Sequence, residues 1–164
     1  MEGSGSSAQS QCVFESLGQY TSQKDLTTFE KQFNVPSVAI AQDIGGHESA
    51  IQCLFNPNNC AEANLDVQYM IAMAPDTPLT YWYDSNQQTP FEDWIEQVES
   101  ATNPPLVNSI SYGGIEESVP ASVTTAFDTA AMKLGVQGVT VFVSSGDDGV
   151  ANFQARSDAS KCGY

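Results

Sequence analysis

Positive charge is what this chain has least of. Lys and Arg together number 5 against 20 Asp and Glu, a net charge of −15 over 164 residues. A field of that sign repels phosphate backbones and anionic lipid, which argues against nucleic acid or an acidic membrane surface as partner. Long apolar runs are missing too: none approaches the roughly 18 residues that a membrane span needs. Histidine occurs once, as His47, and no Cys-x2-Cys pair exists among Cys12, Cys53, Cys60 and Cys162, so zinc spacing is absent. Neither Gly-x-x-x-x-Gly-Lys nor Gly-x-Gly-x-x-Gly occurs, which removes the common phosphate-binding loops. Residues 1–11, MEGSGSSAQSQ, lack the apolar core of a signal peptide and read as a flexible start or linker.

What is present describes a folded domain. Hydrophobic residues make up 41% and aromatics 10%, too rich for a disordered acidic tail, and one domain of this length buries a core. The charge has a further consequence. Carboxylates begin to protonate near about pH 4 to 5, so self-repulsion falls as the medium acidifies. An acidic compartment therefore suits this composition, with halophilic solvation as the competing explanation. The short loop from Cys53 to Cys60, holding Asn-Pro-Asn-Asn, reads as a disulfide clip and so points to an oxidising compartment.

Periodicity divides the chain into alternating pieces. Helical spacing is expected over 22–33, with Leu26, Phe29 and Phe33 on one face, and over 62–73, where Leu65, Tyr69 and Met73 recur. Further helices are expected over 90–100, with Phe91, Trp94, Ile95 and Val98 on one face, and over 119–134. Strands are expected over 35–41, 78–83, 107–112 and 139–143, the last as a central strand buried on both faces. Alternation of this kind implies an α/β fold, a parallel sheet with helices on both faces.

In such a sheet ligands bind beyond the carboxyl ends of the strands. Two apolar strands end there in small polar turns: 109–114 (SISYGG) and 144–149 (SSGDDG). Glu62 and Asp66, at i and i+4, share one helix face with β-carbons about 5–6 Å apart, and two acids that close raise one another's pKa. Spacing of this kind is common on solvated surfaces, so alone it decides nothing. His47 reads as a solvated loop residue, Asp43 as a supporting carboxylate, and Trp82, Trp94, Tyr81 and Tyr83 as core or pocket wall. Asp147-Asp148-Gly149 lacks the other positions of an EF-hand, and no metal ligand set is assigned.

Taken together, several strings resemble the sedolisin family, the serine-carboxyl peptidases with their tripeptidyl-peptidase branch. They are 62–69 (EANLDVQY), 109–113 (SISYG), the 145–147 turn (SGD) and the opening 13–20 (VFESLGQY) with Asp25, Leu26 and Phe29. The resemblance runs from about residue 10 to the end, and it implies a subtilisin-like fold present as a partial domain. Residues 12–164 would form the N-terminal portion of a peptidase domain. It further implies that Glu62 is the general base for a serine nucleophile, that Asp66 holds Glu62, and that a protonated Asp147 donates to the tetrahedral oxyanion. The backbone of Ser111, Tyr112 and Gly113 would pair with an extended peptide, and Tyr112 could wall a side-chain pocket.

The sequence departs from the family in one respect. No Ser-Gly-Thr-Ser turn, which carries the family's nucleophile, occurs in these residues. The family's calcium site and propeptide would likewise lie outside them, so no cofactor is expected in this segment. The expected reading is an acid-acting peptidase, endo- or tripeptidyl-, secreted or in an acidic vesicle. These residues alone would be inactive, and a complementary C-terminal half or another chain would complete them. Two rivals stand beside it: a non-catalytic binding or structural subunit of the same fold, and a carbohydrate-acting enzyme using Glu62 and Asp66. The second is disfavoured because glycosidase carboxylates flank the scissile bond instead of sitting on adjacent turns of one helix.

Overall fold

A computed structural model describes residues 4–115, 118–151 and 153–161. Its centre is a parallel sheet of five strands, β1 (Gln11–Glu15), β2 (Gln42–Ile44), β3 (Leu79–Tyr83), β4 (Val107–Ile110) and β5 (Thr140–Val143), in the order β2-β3-β1-β4-β5. Five α-helices connect them: α1 (Gln23–Phe33), α2 (Ala50–Phe55), α3 (Ala61–Met73), α4 (Pro90–Ser100) and α5 (Ala121–Val136), with a 3-10 turn at Pro57–Cys60 between α2 and α3.

Side-chain alternation along the two central strands sorts the core into two layers. Cys12 and Phe14 of β1 and Trp82 of β3 point to one face and pack with Trp94, Ile95 and Val98 of α4 and Ala130 and Leu134 of α5. Val13 of β1 and Leu79, Tyr81 and Tyr83 of β3 point to the other, against Leu26 of α1 and Ala63, Val67 and Ile71 of α3. Both faces are covered, as a parallel sheet requires. Strand β1 is buried along its whole length, including Glu15, whose carboxyl is on the α3 side by the same parity.

Four sequence expectations change. The apolar run 35–41 is not a strand. Most of its bonded amides go to α1: Val35 N–H donates to Glu30 O at 2.9 Å, Val38 N–H to Glu30 Oε1 at 2.7 Å and Ile40 N–H to Gln23 Oε1 at 3.0 Å. Only the last residue, Ala41, reaches β3, its N–H donating to Leu79 O at 2.9 Å just ahead of the Gln42 pairing. Helix α1 therefore buries Glu30 with Leu26, while Phe33 is exposed. On α3 the stripe Leu65, Tyr69 and Met73 is the exposed one. Finally, β5 is not central: among the described residues it is the sheet's edge, with Phe142 and Val143 exposed.

The order of strands fixes where a site can form. The connection after β1 runs over the α1/α3 face and the one after β4 over the α4/α5 face. The chain therefore diverges between the carboxyl ends of two neighbouring strands, the position at which open α/β sheets bind ligands.

Candidate functional site

A cleft of about 1110 Å³ opens at that divergence. Three segments line it: Glu62, Leu65 and Asp66 from the first turns of α3; Ser111, Gly113 and Gly114 beyond β4; and the 144–149 turn beyond β5, including Asp147 and Asp148. Ile115, Val119 and Phe153 add apolar wall. The acids that the sequence singles out at positions 62, 66 and 147 thus share one cavity.

Local chemistry explains how α3 delivers its carboxylates. The Cys53–Cys60 disulfide is formed and ties α2 to the residue that precedes α3. Gln19 reaches the helix's first turn, its Oε1 accepting from Ala63 N–H at 3.5 Å, and Tyr20 N–H donates to Asn59 O at 2.7 Å. Glu62 sits in that first turn, where the helix dipole favours an acid.

The electrostatics are those of crowded acids. Burial raises the pKa of Glu62, and the neighbouring charges of Asp66 and Asp147 raise it further. Burial also raises Asp66, opposed by the hydroxyl of Ser111. A fourth carboxyl, to which sequence reasoning gave no role, stands behind them. Glu15, fully buried at the end of β1, is pushed up to about 8, first by burial, against a lowering hydrogen bond from Tyr112, and then by Asp66 and Glu62. The Tyr112 hydroxyl donates to Glu15 Oε2 at 2.6 Å. Two buried oxygens in this group, Glu15 Oε1 and Asp66 Oδ2, lack a hydrogen-bond partner among the described residues. An acid directly following the apolar run Cys12–Phe14 was the available signal for Glu15; its partner, 97 residues away, was not visible.

Other candidates fall elsewhere. Tyr112 does not line the cleft; its ring packs edge-on against Phe14 and its hydroxyl is committed to Glu15. Asp43 accepts from the amides of His47 and Glu48 at 3.3 and 3.0 Å, capping its own loop away from the cleft. His47 is not a solvated side chain but a half-buried one. Its ring stacks between Tyr20 and Tyr83 at centroid distances of 4.5 and 3.4 Å. Trp82, Trp94, Tyr81 and Tyr83 are buried. Asp148 accepts from Arg156, which places a cation at the cleft's rim. Cys12 is a buried free thiol, and Cys162 lies outside the described residues. Among the described residues no group of three or more His, Cys, Asp or Glu side chains is arranged to hold a metal, and no helix is long and apolar enough to cross a membrane.

No protein-family model matches the chain. Over 146 residues it is 37% identical to tripeptidyl-peptidase 1 of Dictyostelium discoideum, covering 86% of this chain and 23% of the relative. Human tripeptidyl-peptidase 1 is 29% identical over 155 residues, covering 90% and 26%. Among solved structures, Pseudomonas sedolisin, a serine-carboxyl proteinase complexed with two molecules of pseudo-iodotyrostatin, superposes with a TM-score of 0.70 at 20% identity, over 94% of this chain and 43% of that one. The chain spans about a quarter of the length of the curated relatives it matches.

Proposed function

Because the chain belongs to the sedolisin family, in its tripeptidyl-peptidase branch, we propose that residues 12–164 are the N-terminal portion of an acid-acting serine peptidase domain. They would supply the base, its orienting acid and the oxyanion donor, but not the nucleophile. One observation carries this reading: Glu62, Asp66, Asp147 and the post-β4 segment line a single cleft at the carboxyl ends of the strands.

In the proposed mechanism Glu62 takes the proton of a serine hydroxyl as that oxygen attacks the scissile carbonyl. The raised pKa of Glu62, caused by burial and by the neighbouring Asp66 and Asp147, makes it a stronger base than a free carboxylate. Asp66, one turn along, holds Glu62 in line. Glu15 is neutral throughout the acidic range and so has a proton to share with Asp66, which would satisfy the two unpartnered oxygens together. Asp147 would donate to the oxyanion, a task open only to its protonated form, and this sets the requirement for acid. Ser111 and Gly113, at the cleft wall, would present backbone groups to an extended peptide. The calcium that the family resemblance implies would be held by residues beyond this segment.

Exposed apolar surface supports the need for a complement. Leu65, Tyr69 and Met73 on α3 and Phe142 and Val143 on β5 are each about half exposed or more. A covering segment, in the same chain or another, would bury them while bringing the serine to Glu62. The acidic, oxidising compartment expected from the charge of −15 and the Cys53–Cys60 bridge fits the same reading.

The test is hydrolysis of an unstructured protein from pH 3 to 7 by residues 1–164, with and without the complementary segment. We expect turnover only with the complement. Turnover by these residues alone, abolished by Glu62→Gln, would overturn the reading by revealing a nucleophile within them.

A further inference from the structure

Helix α3 is apolar on two opposite sides. Ala63, Val67 and Ile71 are fully buried, whereas Leu65, Tyr69 and Met73 are 49%, 52% and 57% exposed. At 3.6 residues per turn the two stripes lie about 160–200° apart. The exposed stripe is the bulkier one, so burial of apolar area alone would favour rolling the helix over. Such a roll would swing Glu62 and Asp66 out of the cleft. Apolar area by itself, offset by the cost of carrying the two acids toward the core, therefore does not fix the direction in which they point.

A polar tether does. Asn64 Oδ1 accepts from the Ser22 backbone N–H at 3.0 Å and from the Thr21 hydroxyl at 3.3 Å, and its Nδ2 donates to Asp25 Oδ2 at 3.2 Å. Thr21 and Ser22 are fully buried, and Ser22 is the N-cap of α1, its own hydroxyl accepting from Asp25 N–H. The Ser22 amide has no other acceptor among the described residues, so releasing Asn64 would leave a buried donor unpaired. Asn64 stands two residues from each member of the acid pair, about 160° around the helix from both, on the side away from the cleft.

We propose that Asn64 is a positioning residue for the acid pair. By fastening the back of α3 to the start of α1, it fixes the rotation that directs Glu62 and Asp66 at the substrate. It touches no reacting atom. The inference rests on the peptidase reading of the cleft, and its test separates the two.

The experiment uses the complete peptidase, with the variants Asn64→Leu and Asn64→Asp. Leucine keeps the size and removes all three hydrogen bonds; kcat should fall about 10- to 100-fold, the scale of a misplaced catalytic group, with KM within about twofold. Aspartate keeps the acceptor for Ser22 but faces the carboxylate of Asp25. Two carboxylates that close favour binding a proton, so its activity relative to wild type should recover as the medium acidifies. A merely structural residue would not produce that recovery below the unfolding temperature. Hydrogen exchange across residues 21–27 reads the tether without any turnover and should accelerate in Asn64→Leu. Faster exchange with kcat unchanged would overturn the proposal, and so would unchanged exchange. Faster exchange in a protein whose wild type cleaves no peptide would overturn the peptidase reading and leave the tether established.

Discussion

Replacing Glu15 by Gln should stabilise the protein at neutral pH and leave it nearly unchanged in acid. The reasoning starts from a carboxyl with no exposure to solvent, whose pKa rises from 4.5 to about 8 on folding, chiefly through burial. An acid raised in this direction prefers to fold protonated. Its contribution is fully present below the unfolded value of 4.5 and is lost as pH climbs through the folded value near 8. Within that window each pH unit removes about 1.4 kcal/mol, so the loss is roughly 3 kcal/mol by pH 7 and about 5 kcal/mol in all. Glutamine keeps an acceptor for the Tyr112 hydroxyl and cannot ionise. Urea unfolding of both proteins, each with the complementary segment, from pH 4 to 8 gives two curves. They should meet near pH 4 and diverge by about 1.4 kcal/mol per unit above pH 5. Parallel curves would refute the claim that Glu15 folds as a neutral acid.

Further predictions concern the frame of the site. Gly45→Ala should cost more than about 2 kcal/mol, because φ is +94° and the new Cβ would sit 2.4 Å from the Tyr83 carbonyl oxygen. Gly46→Ala, at φ +69° with nothing within 4 Å, should cost only about 1 kcal/mol; equal thermal shifts would contradict the clash. Removing the Cys53–Cys60 bridge by a double alanine substitution should cost about 2–3 kcal/mol by the loop-entropy argument. Non-reducing peptide mapping should recover the two cysteines linked, and free thiols from oxidised protein would sink the idea.

Sequence reading captured the elements whose patterns are one-sided. Helix α4 buries the Trp94, Ile95 and Val98 stripe that its spacing marks, and β3 and β4 lie within their expected ranges. It failed where two answers are locally equivalent. Val35 to Ala41 has strand composition, yet the choice between a ladder and the side chains of Gln23 and Glu30 is made by α1. Helix α3 offers apolar residues on both sides, so its pattern could not say which is buried. The run at β5 reads as a buried central strand, and it forms an edge in these residues. For the site, i and i+4 spacing placed Glu62 and Asp66 on one helix face but could not distinguish a cleft from a surface. Glu15 stayed unassigned, and Tyr112 was read only as a peptide-binding or pocket-wall residue, because their hydrogen bond joins β1 to a segment 97 residues later.

The central claim is that Glu62 of α3 and Asp147 of the turn beyond β5, which line one cleft, serve one chemical step. Single-turnover cleavage of a peptide by the complete peptidase at its acidic optimum tests this in Glu62→Gln, Asp147→Asn and the double variant. Groups that act as a unit lose most of their effect together. The account predicts that each single substitution removes most of the rate and that the double is little worse than either. Losses that multiply in the double variant, or a single variant that cleaves at the wild-type rate, would contradict it.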